Sequence, residues 1–242
     1  YMRKNHPQGV AIAFDRKKVD EFIAGLPFEL TADQKKAVEE ILRDMGSNFK
    51  MNRLLQGEVG SGKTVVAAIC LYAAVTAGYQ GAIMVPTEVL AQQHFQTFRK
   101  LFENTGVNIQ MLSASLSPKE KKEILDGLLN KDIDIVVGTH SLFGKDVVFD
   151  RLGLVITDEE HRFGVRQRVS IVGKGHLIDH LKMSATPIPR TLAISILGDS
   201  DISVIRQLPG QRKEPITKYL HYEDIEIVHD HILKEIRAGR QV

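Results

Sequence analysis

The sequence predicts an α/β fold, a mainly parallel sheet with helices on both faces. Three observations carry that prediction. Between Leu54 and Ile205 short apolar runs alternate with stretches of helical periodicity. The joints between them are short and glycine-rich. The segment "GEVGSGKT", Gly57 to Thr64, stands after an apolar run and before a helical one, where a glycine-rich loop opens a helix.

Taken in order, the strand candidates are Arg53–Gln56, Gly81–Val85, Val107–Leu112, Ile133–Val137, Leu152–Thr157, Leu181–Ser184 and Ile202–Ile205. Helical spacing fits Lys63–Ala77, Glu88–Phe102, Pro118–Leu129 and Pro189–Leu197. The third helix opens with "SPKE": Ser117 can cap, Pro118 suits the first turn, and Glu120 completes a capping box. Upstream, "FDRKKVDEFIAGLPFELT" reads as a short helix and an extended lead-in. Downstream, "QLPGQRKEP" has the Pro, Gly and charge content of a linker. Beyond it the pattern predicts a strand, Ile216–Leu220, and a helix, Asp224–Ala238, with Gly239 suited to its C-terminal cap. The expected division is therefore a lead-in over 1–27, a first lobe over 28–206, a linker over 207–215, and the start of a second lobe over 216–242. A strand and helix without a sheet to finish mark the chain as a fragment.

Composition narrows the function classes. The net charge of +2 gives no whole-molecule field for nucleic acid or membrane, so any such surface is local. The single cysteine, Cys70, lies in an apolar helical pattern and reads as core; one thiol without a disulfide framework suits a reducing cytosol. The longest apolar stretch, Val65 to Val75, is too short to span a bilayer. The N-terminal "YMRKNHPQ" has no apolar signal core.

Gly57, Glu58, Val59, Gly60, Ser61, Gly62, Lys63 and Thr64 match the phosphate-binding pattern G-x-x-x-x-G-K-[ST]. Glycines let backbone N–H groups wrap a phosphate, and the following helix N-terminus adds favourable partial charge. Lys63 would reach the β and γ phosphates of a nucleotide, and the Thr64 hydroxyl would bind Mg²⁺. Glu58 must point outward, because a carboxylate repels bound phosphate. About ninety residues later "VITDEEHRFGVRQR" ends an apolar run in Asp158, Glu159 and Glu160. Bound Mg²⁺ makes that crowding of acids tolerable: Asp158 would hold the ion through its water shell, and Glu159 would orient the attacking water. In "LPFELTADQ", Phe28 could stack on adenine and the Gln34 amide could pair with the base edge. Thr31 and Gln34 also spell the capping box T-x-x-Q, and the residues alone leave both readings open. His176 and His180 stand one helical turn apart but lack a third ligand nearby, so no zinc site is read.

The phosphate loop, "TDEEH" and "MSATPIPR", in that order, resemble the first motor lobe of a superfamily two helicase. "LPFELT", "MNRLLQGEVGSGKTVVA", "MVPTEVLAQQH", "DIVVGTHSLF", "DEEHRFGVRQR" and "MSATPIPRTLA" resemble more closely the RecG family of bacterial ATP-dependent branched-DNA helicases, over about Gly9 to Val242. The resemblance implies a RecA-like lobe that uses ATP and Mg²⁺, with His161 added to Lys63, Asp158 and Glu159 in the catalytic set. It implies that Pro86, Thr87, Gly138, Thr139 and His140 hold the DNA sugar-phosphate backbone. Arg162, Arg166 and Arg168 would meet phosphates or the second lobe. Ser184, Ala185 and Thr186 would link hydrolysis to DNA movement. Arg190 could equally be a plain surface charge.

The implied partners are branched or duplex DNA, through the full-length protein, and a second helicase lobe in cis. The full-length protein is expected to be a monomer of the bacterial cytoplasm, with no membrane partner. Neither the wedge domain of that family nor most of its second lobe, with its arginine finger, has a counterpart here, so the fragment alone should turn ATP over very slowly. Two rivals stand beside this reading. A transcription-repair coupling translocase usually has tyrosine inside the phosphate loop and glutamine at the position of His161, so Ser61 and His161 argue against it. A nucleotide-gated binding module would do no work on DNA at all.

Overall fold

The computed structural model describes residues 9–158, 178–186, 200–209, 217 and 219–241. These form two compact units, Tyr1–Pro209 and Gly210–Val242. In the first, seven parallel strands make one sheet in the order β3-β4-β2-β5-β6-β1-β7. The strands are β1 Asn52–Gly57, β2 Gln80–Met84, β3 Ile109–Leu112, β4 Ile135–Gly138, β5 Leu152–Asp158, β6 Asp179–Ser184 and β7 Asp201–Ile205. Among the described residues, five α-helices accompany them: α1 Arg16–Ala24, α2 Ala32–Met45, α3 Lys63–Thr76, α4 Glu88–Leu101 and α5 Pro118–Leu129. This is the parallel α/β lobe that the alternating pattern predicts, in the RecA-like form that the resemblance implies.

Burial on both faces explains why the central strands read as unbroken apolar runs. Along β2, Ile83 faces the core shared with α1 to α4, while Ala82 and Met84 face the opposite core beneath α5. In β4 and β5, Ile135, Val137, Leu154 and Ile156 take the first side, and Val136 and Val155 the second. α3 packs against β1, β2 and β5 and against α1, α2 and α4, so it is covered all round. Nine of its residues are buried, which is why its sequence shows no polar face. Cys70 is among them; burial raises its thiol pKa above the ordinary range, which suits a core residue.

The helix starts follow local chemistry. Thr31 and Gln34 form a reciprocal capping box on α2, and Ser117 and Glu120 another on α5 with Pro118 in its first turn. Each such cap stabilises its helix by about 1 kcal/mol. A buried polar network fixes α2 to the sheet. Arg53 of β1 donates to Asp44 at 2.8 Å and to Ser203 of β7 at 2.9 Å, and Ser203 donates to Glu40.

In the second unit, α6 spans Ile225–Arg237. Gly239, at φ 74°, closes it: its N–H reaches Ile236 O and that of Arg240 reaches Glu235 O. The strand expected over Ile216–Leu220 is not found at its described residues, Thr217, Tyr219 and Leu220. A strand needs a neighbour for its backbone groups, and apolar alternation cannot supply one. The helix expected over Pro189–Leu197 lies outside the described residues.

Candidate functional site

The loop between β1 and α3 has a geometry that can hold an anion. Gly60 and Gly62 sit at φ 83° and 84°, a left-handed conformation that side-chain-bearing residues rarely adopt. Gly62 starts α3, and no side chain caps that helix. Lys63 Nζ donates to the carbonyls of Gly57 at 2.7 Å and Glu58 at 3.1 Å, so the ammonium lies across the loop. Glu58 and Val59 are exposed. Ser61 is fully buried, and its Oγ has no hydrogen-bond partner among the described residues. Thr64 is partly buried in the first turn of α3.

Gln34 belongs to this loop in a way the sequence left open. Its Oε1 accepts the Thr31 N–H at 2.9 Å, and its Nε2 donates to Ser61 O at 2.8 Å. The side chain is 2% exposed and sits against Gly62, where an added Cβ would strike the Gln34 amide. One half of the amide thus completes the cap of α2 and the other is spent on the loop. Phe28 is 48% exposed, so its ring is open to a stacking partner.

Register decides where the acidic tip lies. Asp158 ends β5 and pairs with Met183 of β6, while Ser184 pairs with Gln56 of β1 and Gly57 follows. β6 separates β5 from β1, so Asp158 and the loop start two strands apart on one edge, roughly 9–10 Å laterally. Asp158 Oδ2 meets His94 Nε2 of α4 at 2.9 Å. Ser184, at the tip of β6, stands between the two. Its Oγ accepts from the Thr186 N–H at 3.2 Å and pairs with Thr186 Oγ1 at 2.9 Å. Gln56, just before the loop, donates to Thr186 O at 3.0 Å. Ala185 lies within this turn. The Ser-Ala-Thr segment is thus tied directly to the strand that carries the phosphate loop.

Five further predicted positions gather on the other half of the same edge. Pro86 and Thr87 follow β2, and Gly138, Thr139 and His140 end and follow β4, the strand next to β2. Thr87 caps α4 by accepting the Leu90 N–H, and Glu88 accepts the Ala114 N–H at 2.8 Å. Thr87 and His140 are exposed, whereas Gly138 and Thr139 are buried. Glu159, His161, Arg162, Arg166, Arg168, Arg190 and His176 lie outside the described residues. His180 is half-buried in β6, with Nε2 at 3.1 Å from Thr157 Oγ1. Burial, then Lys182 and Lys50, lowers its pKa to about 3.

A cradle and an acid on one strand edge are shared by many nucleotide-binding proteins, and comparison narrows the class. The family model for DEAD/DEAH box helicases matches residues 31–194. The chain belongs to the DEAD/DEAH box helicase family. Among curated relatives, the ATP-dependent DNA helicases RecG of Staphylococcus epidermidis and Staphylococcus aureus are each 50% identical to this helicase chain over 240 residues. That alignment takes in 99% of this chain but 35% of each relative, so the chain spans about a third of their length. A solved RecG bound to a three-way DNA junction superposes with a TM-score of 0.87 at 42% identity, covering 98% of this chain and 32% of that one. A DEAD box protein from Methanococcus jannaschii shares the fold, with a TM-score of 0.62 at 22% identity over 88% of this chain and 60% of its own.

Two polar residues of this helicase lobe that the sequence reading did not single out are His94 and Gln56. Each had a signal. His94 falls on the buried face of α4, between Ala91 and Phe98, where a polar side chain needs a partner. Gln56 is a buried amide in an apolar strand. Among the described residues, no group of acids, histidines and cysteines is arranged to hold a metal by itself, and no helix is long and apolar enough to cross a membrane.

Proposed function

We propose that this chain is the ATP-binding motor lobe of a RecG-type DNA helicase, coupling nucleotide hydrolysis to remodelling of branched DNA. The observation that carries the proposal is the meeting of the glycine loop and Asp158 on one sheet edge, with Ser184 between them. High identity to RecG along nearly the whole chain supports it.

The residues present fit a magnesium–triphosphate. The loop has left-handed glycines, an uncapped helix start and a lysine resting on its own carbonyls, contacts that phosphate oxygens would replace. Gly57 to Thr64 would wrap the phosphates, Lys63 would clamp the β and γ groups, and Phe28 would stack on the base. Thr64 and Asp158 would hold Mg²⁺, which supplies charge neutralisation on the transferring phosphate. Glu159 would orient water, with His161 beside it. Gln34 supports the loop from beneath.

Pro86, Thr87, Gly138, Thr139 and His140 would meet the sugar-phosphate backbone, which positions a duplex without reading its sequence. Arg162, Arg166 and Arg168 would add cationic contacts to DNA or to a second lobe in cis, and Ser184 to Thr186 would transmit the nucleotide state. Residues 28–206 would be the first lobe, 207–215 the linker, and 216–242 the start of the second lobe. The full-length protein would work as a monomer in the cytoplasm.

The test is Lys63→Ala in the full-length protein. ATP hydrolysis and junction unwinding should both vanish while DNA is still bound. Unwinding at the normal rate would reject the assignment.

A further inference from the structure

Helix α4 joins the two halves of the sheet edge. It begins at Thr87, on the side proposed for the nucleic-acid backbone, and carries His94 seven residues later. Seven residues are nearly two turns, so the two side chains lie on almost the same face, roughly 10 Å apart. There His94 Nε2 meets Asp158 Oδ2 at 2.9 Å, with side chains only 10% and 17% exposed. An ionised carboxylate can only accept, so Nε2 then carries the shared proton. The other ring nitrogen, Nδ1, is buried and has no partner among the described residues.

Packing alone does not require a histidine here. His94 stacks on Phe98, which stacks on Phe102, and a phenylalanine would continue that line of rings. An imidazole instead leaves one buried nitrogen unsatisfied, a cost of about 1–3 kcal/mol. What it gains over a phenyl ring is a single directed hydrogen bond, and that bond ends on the carboxylate at the tip of β5.

We propose that His94 is a positioning residue: it orients Asp158 for the metal–nucleotide and makes that orientation depend on where nucleic acid holds the start of α4. The proposal deepens the motor reading above and rests on it. It gives a DNA-stimulated motor a short mechanical route, one rigid helix from the Thr87 end to the acidic tip.

The experiment uses the full-length protein and three variants, His94→Phe, His94→Ala and His94→Gln. Calorimetry measures binding of a non-hydrolysable ATP analogue as Mg²⁺ is titrated, with and without duplex DNA. The ratio of the two affinities is the coupling between the sites. Removing an outer partner of a metal ligand typically costs about 10–100-fold. His94→Phe and His94→Ala should therefore need about 10–100-fold more Mg²⁺ and lose most of the DNA-dependent tightening. His94→Gln should restore both, because its amide nitrogen can reach the place of Nε2. His94→Phe should melt no lower than wild type, which separates the effect from folding. Wild-type values in His94→Phe would reduce the residue to packing and overturn the proposal, as would failure of His94→Gln to restore either value. A wild-type protein that binds no Mg²⁺–nucleotide, or binds it without regard to DNA, would instead sink the motor reading, and the proposal with it.

Discussion

Gln34 Nε2 donates to the carbonyl oxygen of Ser61 across 2.8 Å, and the same amide completes the cap of α2. One side chain thus sets a helix start and the floor of the phosphate loop together. Gln34→Glu keeps its shape and its acceptor for Thr31 but turns a carboxylate oxygen toward the Ser61 carbonyl. We expect a loss of about 1–3 kcal/mol in denaturant unfolding and nucleotide affinity lower by about tenfold, equivalent to roughly 1.4 kcal/mol. Thr31→Ala removes only the cap, at about 1 kcal/mol, and should leave nucleotide affinity near wild type. Titration with a fluorescent nucleotide checks both; equal losses in the two variants would show that the Ser61 contact is inert.

Asp179 gives the fold a pH dependence away from the site. Its Oδ1 accepts the Met51 N–H at 2.7 Å, and its Oδ2 is buried without a partner among the described residues. Burial raises its pKa to about 7, against the opposing pull of the Met51 N–H. The folded value lies above the unfolded value of about 3.9, so the folded state keeps the proton longer. The stabilisation is fully present below about pH 4 and is lost as pH rises to about 7. His180 acts the other way: its folded pKa is lowered, so stability falls as pH drops below about 6.5. Asp179→Asn isolates the first effect. At pH 8 the variant should be more stable than wild type by on the order of 2–4 kcal/mol, and at pH 4 the difference should close. Urea midpoints at both pH values decide it.

Arg53 should behave as a buried cation whose partners suffer when it leaves. It is 9% exposed and serves Asp44, Ser203 and Glu40 at once. Arg53→Met fills similar volume but strands two partly buried carboxylates, and should destabilise by about 3 kcal/mol. Adding Asp44→Leu should recover part of that loss, because it removes one uncompensated charge. Thermal unfolding of the single and double variants measures the coupling; a neutral single variant would mean that water replaces the guanidinium.

Most of the sheet was legible because its chemistry is local. Apolar runs such as Leu152–Thr157 are strands buried on two faces, and "SPKE" and "LTADQ" are helix starts whatever surrounds them. The loop and the acidic tip were legible as motifs, and parallel strand–helix alternation sends both to the carboxyl edge. What local pattern could not show is pairing over distance. His94 and Asp158 meet because the sheet order sets β2, which leads into α4, beside β5, and Gln34 and Ser61 meet because α2 packs against α3. At Thr217, Tyr219 and Leu220, the described residues of the expected strand, none forms, for the related reason that alternation says nothing about an edge to pair with.

Asp33, the neighbour of Gln34, holds the chain where it leaves β7. Its Oδ2 accepts the N–H groups of Arg206 at 2.8 Å and Gln207 at 3.0 Å. One turn of α2 therefore grips the phosphate loop with one residue and the start of the proposed linker with the next. Those two N–H groups, Arg206 first, lower the Asp33 pKa below the usual carboxylate range. A lowered folded pKa means the grip is complete above the ordinary carboxylate value and is released only as pH falls through the lower one. Asp33→Ala should leave the melting temperature almost unchanged, since the side chain is only half-buried. It should speed hydrogen exchange at the Arg206 and Gln207 amides by about tenfold or more, because local opening then lacks its acceptor. In the full-length protein, exchange at these two amides should also respond to bound nucleotide in the wild type and cease to respond in Gln34→Glu. An unchanged response in Gln34→Glu would show that loop and linker are held independently.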